Sequence, residues 1–324
     1  MRCDRLMAGA GKRERLLVLL RLEPAYLEEL SKDYDVLCIE RGVGLETLPP
    51  EQLRGVRAVL TGGPIGFTQA MFAACPDIEA VVTFGTGVDR IDLPTAKQRG
   101  VLLGNGGGAN APCVAEHAVA LLLSLVREIP RLHAGVVAGR WRPGGVLHQI
   151  SGKRLGLIGL GGIGAEVARM AEGLRMEVAY TTRRPRPELP YRHFADLRDL
   201  AAYADALIVA CPGGEATRHL VGADVLSALG PQGYLVNVAR GSVIDTAALV
   251  EALRGGGIAG AALDVFENEP EVPGDLCTLE NVILTPHVAG NSQESRAAMF
   301  ARARANLAAF YAGQPLPGAV VISA

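Results

Sequence analysis

The chain has 324 residues, 49% of them hydrophobic and 20% charged, with 32 Lys plus Arg against 34 Asp plus Glu. That is the length of two domains and the mix of a globular protein, which excludes a disordered chain and argues against nucleic-acid binding as the main activity. Glycine is abundant, 40 residues beside 19 prolines, but no G-X-Y period exists, so collagen is excluded and turns or close backbone approaches remain.

In chain order, the N-terminus up to Arg15 is basic, and the apolar run 16–20 is too short for the core of a secretory signal. A cytoplasmic protein with a loose first dozen residues is expected. Residues 16–20 read as a strand, and 24–33 as a helix opening on Pro24. Further strands are expected over 36–39, 58–60 and 80–83, with a helix over 67–74. Each strand is a near-continuous apolar run, the pattern of a parallel sheet covered on both faces. Residues 103–110 are turn-rich and hold Gly104, Gly106, Gly107 and Gly108. A long helix over 112–127 follows, with Pro130 near its end. Its apolar stretch, 118–126, is far short of the about 20 residues a membrane span needs. It reads as core or as a dimer interface.

A second alternating series starts at Arg154. Strands are expected over 155–158, 177–180, 206–210, 234–238, 258–263 and 282–284, with helices that include 162–173 and 246–254. An Ala-rich helix over 292–312 closes the series, and Arg296, Arg302 and Arg304 on it read as a solvated face. Two βα series joined by a glycine-rich piece imply two doubly wound α/β domains. Cysteines stand at 3, 38, 75, 113, 211 and 277 with no C-x-x-C and no His cluster nearby. Buried free thiols in a reducing compartment are expected, and no metal site. Glu116-His117 diverge by about 100° on a helix, which argues against a metal pair. Trp141, the single tryptophan, reads as an anchor for a loop or a dimer contact, with a pocket role as the alternative.

Gly159-Leu160-Gly161-Gly162-Ile163-Gly164 fits G-x-G-x-x-G between an expected strand and an expected helix. The first glycine turns the chain, the second admits a pyrophosphate to backbone N–H groups, and the third lets helix and sheet approach. The helix N-terminus adds unpaired donors and a positive dipole end. About 20 residues on, an acidic residue would hold the ribose 2′-hydroxyl of NAD. Here the strand runs into Thr181-Thr182-Arg183-Arg184-Pro185-Arg186. A hydroxyl at Thr182 followed by the Arg183 and Arg184 guanidiniums suits a 2′-phosphate, so NADP(H) is expected over NAD(H).

Arg240, Glu269 and His287 stand at or just beyond the ends of later strands, where α/β sheets bind ligands. Together with the glycine fingerprint they resemble the D-isomer-specific 2-hydroxyacid dehydrogenases. The likeness also rests on Phe84-Gly85-Thr86-Gly87-Val88-Asp89-Arg90-Ile91-Asp92-Leu93, Val114-Ala115-Glu116-His117-Ala118, Asn237-Val238-Ala239-Arg240-Gly241, Leu263-Asp264-Val265-Phe266 through Glu269-Pro270, and Pro286-His287. It runs from about Ala80 to the C-terminus. The resemblance implies a Rossmann nucleotide domain (109–291) inserted into a flavodoxin-like substrate domain (1–108 and 292–324), and a homodimer.

It also implies roles. Arg240 would clamp the carboxylate of a 2-oxo acid, and His287 would protonate the carbonyl oxygen as hydride arrives. Glu269 would orient the imidazole and favour its protonated form. Backbone N–H groups near Thr86 and Gly87 would hold the other end of the carboxylate. Asp264 would contact the nicotinamide carboxamide, with Val238, Ala239 and Gly290 around the ring. Cys211, Pro212 and Thr217 would bound the nucleotide. Thr182-Arg183-Arg184 looks like the NADPH-using reductases of glyoxylate, hydroxypyruvate, hydroxyphenylpyruvate and 2-ketogluconate. Gly162 departs from the family, which often has Arg there, and Gly106-Gly107-Gly108 is barer than usual, leaving room if it borders the substrate. A nucleotide-sensing, corepressor-like binding protein is the alternative of a different class. The presence of the full Arg/Glu/His set favours an enzyme.

Overall fold

The computed structural model describes residues 13–39, 43–141 and 145–321. The expectation of a loose first dozen residues lies outside them. The described chain forms two compact units. One comprises the residues up to Ala109 together with those from Arg296, and the other is Asn110–Ser295.

The first unit holds a five-stranded sheet: β1 (Arg15–Val18), β2 (Asp35–Cys38), β3 (Val56–Thr61), β4 (Ala80–Thr83) and β5 (Leu102–Gly104). All pairs are parallel, in the order β2-β1-β3-β4-β5. Side chains alternate between the two faces, and both faces are buried. Leu16, Val18, Leu60 and Val82 pack under Phe300, Ala303 and Leu307 of the C-terminal helix Gln293–Tyr311. Leu17, Val59 and Val81 pack on the other side with Phe67, Phe72 and Ile91. The C-terminal helix is therefore part of this unit's core. Arg296 pairs with Glu23, and Arg304 with Glu29 and Asp33. Those two arginines tie the tail to helix Pro24–Asp33 and its lead-in, where a solvated face was expected.

The second unit holds seven parallel strands: β6 (Arg154–Ile158), β7 (Glu177–Thr181), β8 (Arg192–His193), β9 (Ala206–Val209), β10 (Tyr234–Asn237), β11 (Gly260–Leu263) and β12 (Val282–Leu284). Their order is β12-β11-β10-β9-β6-β7-β8. The chain works outward through β7 and β8, then returns to lay β9 against the other side of β6. That reversal opens a crevice at the strand C-termini between β6 and β9, the usual ligand position of such sheets. Helices Ala111–Val126 and Gly162–Gly173 cover one face; Leu197–Tyr203, Ala223–Leu229 and Thr246–Arg254 cover the other. The apolar stretch 118–126 is core, with Ala118, Leu121, Leu122, Leu125 and Val126 all buried.

The structure adds elements that periodicity did not show. Leu93–Gln98 is a helix, β5 lies in the turn-rich segment, and β8 is a two-residue edge strand. Pro130 begins a helix and does not end one. The long helix stops at Val126, Glu128 turns the chain with φ +50°, and Pro130 opens Ile129–Val137. No helix among the described residues is long and apolar enough to cross a membrane.

Candidate active site

The glycine loop leaves the end of β6. Gly159 has φ +99°, and a Cβ there would stand 2.7 Å from the Cys211 amide nitrogen. The loops after β6 and β9 thus touch at the crevice, which sets Cys211 and Pro212 beside the fingerprint. Gly164 packs on the same turn, since its Cβ would fall 2.3 Å from the Gly159 carbonyl oxygen. Gly161 differs: nothing lies within 4 Å of a Cβ built there. It precedes helix Gly162–Gly173 as an N-cap with no side-chain hydrogen bond, leaving the first-turn N–H groups to a ligand. This cradle fits a pyrophosphate. Leu160 is buried and Ile163 partly so, leaving backbone as their contribution.

Past β7, the Thr182 hydroxyl donates to the Arg184 carbonyl at 2.7 Å, closing a turn that leaves Arg183 and Arg184 exposed. Arg186 was not singled out by sequence, although it lies in the same basic run. Its amide donates to the Tyr180 hydroxyl at 2.7 Å and its Nη1 to the Leu160 carbonyl at 3.0 Å. Arg186 therefore staples the basic loop to the glycine loop. Thr217 turns its hydroxyl inward, onto the Pro212 and Gly214 carbonyls at 2.9 and 3.1 Å.

Arg240, Glu269 and His287 follow β10, β11 and β12, three parallel neighbours whose C-termini share one edge with the glycine loop. Glu269 Oε2 lies 2.7 Å from His287 Nδ1. A carboxylate only accepts, so Nδ1 carries the proton and Nε2 is the ring's other working atom. Glu269 Oε1 accepts from the Phe266 amide at 3.0 Å. Burial would raise the Glu269 pKa. The His287 hydrogen bond, the Phe266 amide and the charges of His287 and Arg240 outweigh it and hold the carboxyl below its usual range. Arg240 is positioned through its backbone: Asn237 Nδ2 donates to its carbonyl at 2.9 Å, and Asn237 Oδ1 accepts the Ala239 amide at 3.0 Å. Val238 and Ala239 are buried beside it.

His287 sits at φ +53°, an uncommon conformation for a non-glycine residue. Asp264 holds it there. The His287 amide donates to the Asp264 carbonyl at 2.8 Å, and the Asp264 carboxylate accepts the Thr285 hydroxyl at 2.6 Å and the Val288 and Ala289 amides at 2.9 Å each. Asp264 is 0% exposed. Its carboxylate anchors the His287 loop. Thr285 gives its proton to Asp264, so His117 Nε2, 3.0 Å from Thr285 Oγ1, is the donor in that contact. His117 is thus a structural hydrogen-bonding residue. Among the described residues no His, Cys, Asp and Glu cluster could hold a metal. Gly290 packs closely on Asn110, whose Nδ2 would stand 3.1 Å from a Cβ.

Thr86 and Gly87 belong to the first unit, on the loop after β4. The Thr83 hydroxyl donates to the Gly85 carbonyl at 2.9 Å, and Asn105 Nδ2 to the Thr86 carbonyl at 2.9 Å. The bareness of 106–108 follows from backbone needs: Gly107 and Gly108 have positive φ, and a Cβ on Gly106 would meet the Gly85 backbone at 3.1 Å. Trp141 is 79% exposed. Of the five described cysteines only Cys75 is buried, while Cys38 and Cys277 are exposed.

An imidazole braced to exchange a proton, on the same sheet edge as a dinucleotide cradle, is the equipment of a hydride-transfer enzyme. Residues 119–289 match the family model described as "D-isomer specific 2-hydroxyacid dehydrogenase, NAD binding domain", and the chain belongs to that family. Glyoxylate/hydroxypyruvate reductase A of Arabidopsis thaliana is 38% identical over 304 residues, covering 92% of this chain and 96% of its own. Hydroxyphenylpyruvate reductase of Plectranthus scutellarioides is 39% identical over 272 residues, 83% and 87% of the two chains. Among solved structures, the NADPH-dependent glyoxylate/hydroxypyruvate reductase of Sinorhizobium meliloti, in complex with NADP and malonate, superposes with a TM-score of 0.89 at 39% identity. It covers 96% of this chain and 97% of that one.

Proposed function

We propose that this enzyme reduces a small 2-oxo acid, glyoxylate or hydroxypyruvate, to the D-2-hydroxy acid with NADPH. The observation that carries the reading is the 2.7 Å Glu269–His287 pair beside the turn of Arg240. Bound NADPH supplies the hydride. Arg240 holds the substrate carboxylate and draws charge from the carbonyl. His287 Nε2 gives a proton to the carbonyl oxygen as the C–H bond forms, and Glu269 stabilises the imidazolium before that transfer. In the oxidative direction the same nitrogen takes the hydroxyl proton.

NADPH over NADH is supported by Thr182, Arg183 and Arg184 past β7, and the glycine cradle takes the pyrophosphate. The names of the Arabidopsis and Sinorhizobium proteins point to glyoxylate and hydroxypyruvate. An aromatic 2-oxo acid is the second reading, favoured by the Plectranthus relative. The buried thiol of Cys75 is in keeping with a reducing, cytoplasmic setting. Exposed Ile129, Val136, Val137 and Trp141 are proposed as the contact face of a homodimer.

The test is loss of NADPH absorbance with a panel of 2-oxo acids, repeated with NADH. Turnover is expected on glyoxylate and hydroxypyruvate with NADPH preferred. Nucleotide binding with no turnover on any member would instead favour a sensor.

A further inference from the structure

A second imidazole–carboxylate pair stands close to the reacting one. His219 Nε2 lies 2.7 Å from Glu267 Oε1, and Glu267 is two residues before Glu269 on the same loop. The backbone of His219 is engaged as well. Its amide donates to the Ser242 carbonyl at 2.8 Å, in the turn that follows Arg240. That turn lies directly on the Glu269 loop, because a Cβ on Gly241 would overlap the Phe266 and Glu267 backbone at 1.9 and 2.3 Å. His219 has φ +50°, a conformation that needs surrounding contacts to persist. The chain continues from it into paired backbone: the Val221 amide donates to the Val243 carbonyl and the Asp245 amide to the Val221 carbonyl, each at 3.0 Å. Glu267 is further held by Thr246, at the start of the next helix.

We infer that His219 is a positioning residue for the reaction: paired with Glu267, it locks the turn carrying Arg240 to the loop carrying Glu269. One residue thus sets the spacing between the proposed carboxylate clamp and the partner of the general acid. The charged groups facing His219 are Glu267 and, at 4.0 Å, Asp245, and Arg218 adds its charge near Glu267. Outside the Glu269–His287 pair, Arg240 adds its charge to Glu269. Substitution at 219 leaves Arg240, Glu269 and His287 all present.

The inference rests on the proposed roles of Arg240, Glu269 and His287, so the experiment carries a control for them. His219→Leu, His219→Gln and His287→Gln are made in the full chain and assayed on the most active 2-oxo acid of the panel. His219→Leu is expected to lower kcat/KM by roughly 10- to 100-fold, as a small misplacement does, with NADPH binding unchanged. The alkaline limb of its pH profile for reduction should move to lower pH, because a displaced Glu269 loop holds the His287 imidazolium less firmly. His219→Gln keeps a donor that can reach Glu267 and should restore most of both quantities. An unchanged alkaline limb in His219→Leu overturns the inference, whether turnover is normal or falls only with Tm, and so does His219→Gln behaving like Leu. Should His219→Leu fail to fold, Glu267→Gln is read the same way: a shifted limb supports the lock and an unshifted one overturns it. Normal turnover in His287→Gln would remove the active-site reading itself.

Discussion

Glu269 shows how a residue's neighbours decide its chemistry. Burial alone would favour its neutral form, yet the His287 hydrogen bond, the Phe266 amide and two nearby cations keep it ionised. A carboxyl depressed in the folded protein adds stability above the ordinary glutamate value of about 4.3 and loses it as pH falls through the depressed one. Glu269→Gln should therefore flatten the acid side of a Tm-against-pH curve; a curve parallel to wild type would contradict the direction of this shift. For catalysis, His287→Gln should lower kcat by about 10²- to 10⁴-fold while NADPH still binds, measured by nucleotide fluorescence. Near-normal turnover would end the general-acid role. Cys211, beside the glycine loop, is the opposite case to Glu269. Burial pushes its thiol up to about 11, so it stays protonated at neutral pH.

At the scale of elements, the glycine loop and the basic loop are each local devices. The first needs Gly159 for its turn, and the second is closed by Thr182 and stapled through Arg186. Thr182→Asp with Arg183→Ala would place a carboxylate where a 2′-phosphate is expected and remove a guanidinium. The ratio of kcat/KM for NADPH over NADH should invert, and an unchanged ratio would refute the assignment. The strands 80–83 and 282–284 and the helices 24–33, 162–173 and 246–254 have the same bounds in the sequence reading and in the structure. Local signals mark them: Pro24, the glycine loop and the Asp245 cap start the helices, and each strand lies in an apolar run. Leu102–Gly104 and Arg192–His193 were not legible. One is cut short by Gly104 and the other is Arg-His, so neither carries an apolar signal, and those strands exist because β4 and β7 offer a free edge.

At the scale of the whole molecule, exposed apolar side chains gather on and after helix Ile129–Val137: Val136 is 54%, Val137 74% and Trp141 79% exposed. An apolar group of this kind marks an interaction surface. Light scattering on the eluting protein should give a dimer mass, and Val136→Asp with Val137→Asp should give a monomer that still binds NADPH. A monomeric wild type at micromolar concentration would refute the proposed contact. The C-terminal helix belongs at this scale too. Its Ala-rich sequence names no partner, and the ion pairs to Glu23, Glu29 and Asp33 with the stacking of Phe300 on Tyr26 at 4.1 Å show where it packs.

The sequence by itself determined the α/β class, the glycine fingerprint and the identities of Arg240, Glu269 and His287. Those signals are periodicity and residue chemistry, which neighbours along the chain carry. Tertiary structure alone decided that Glu269 meets His287, that Asp264 is an anchor buried under the loop, and that His219 reaches two loops at once. These contacts join the ends of separate parallel strands, and strand order and register, which create such contacts, are fixed only when distant segments pair.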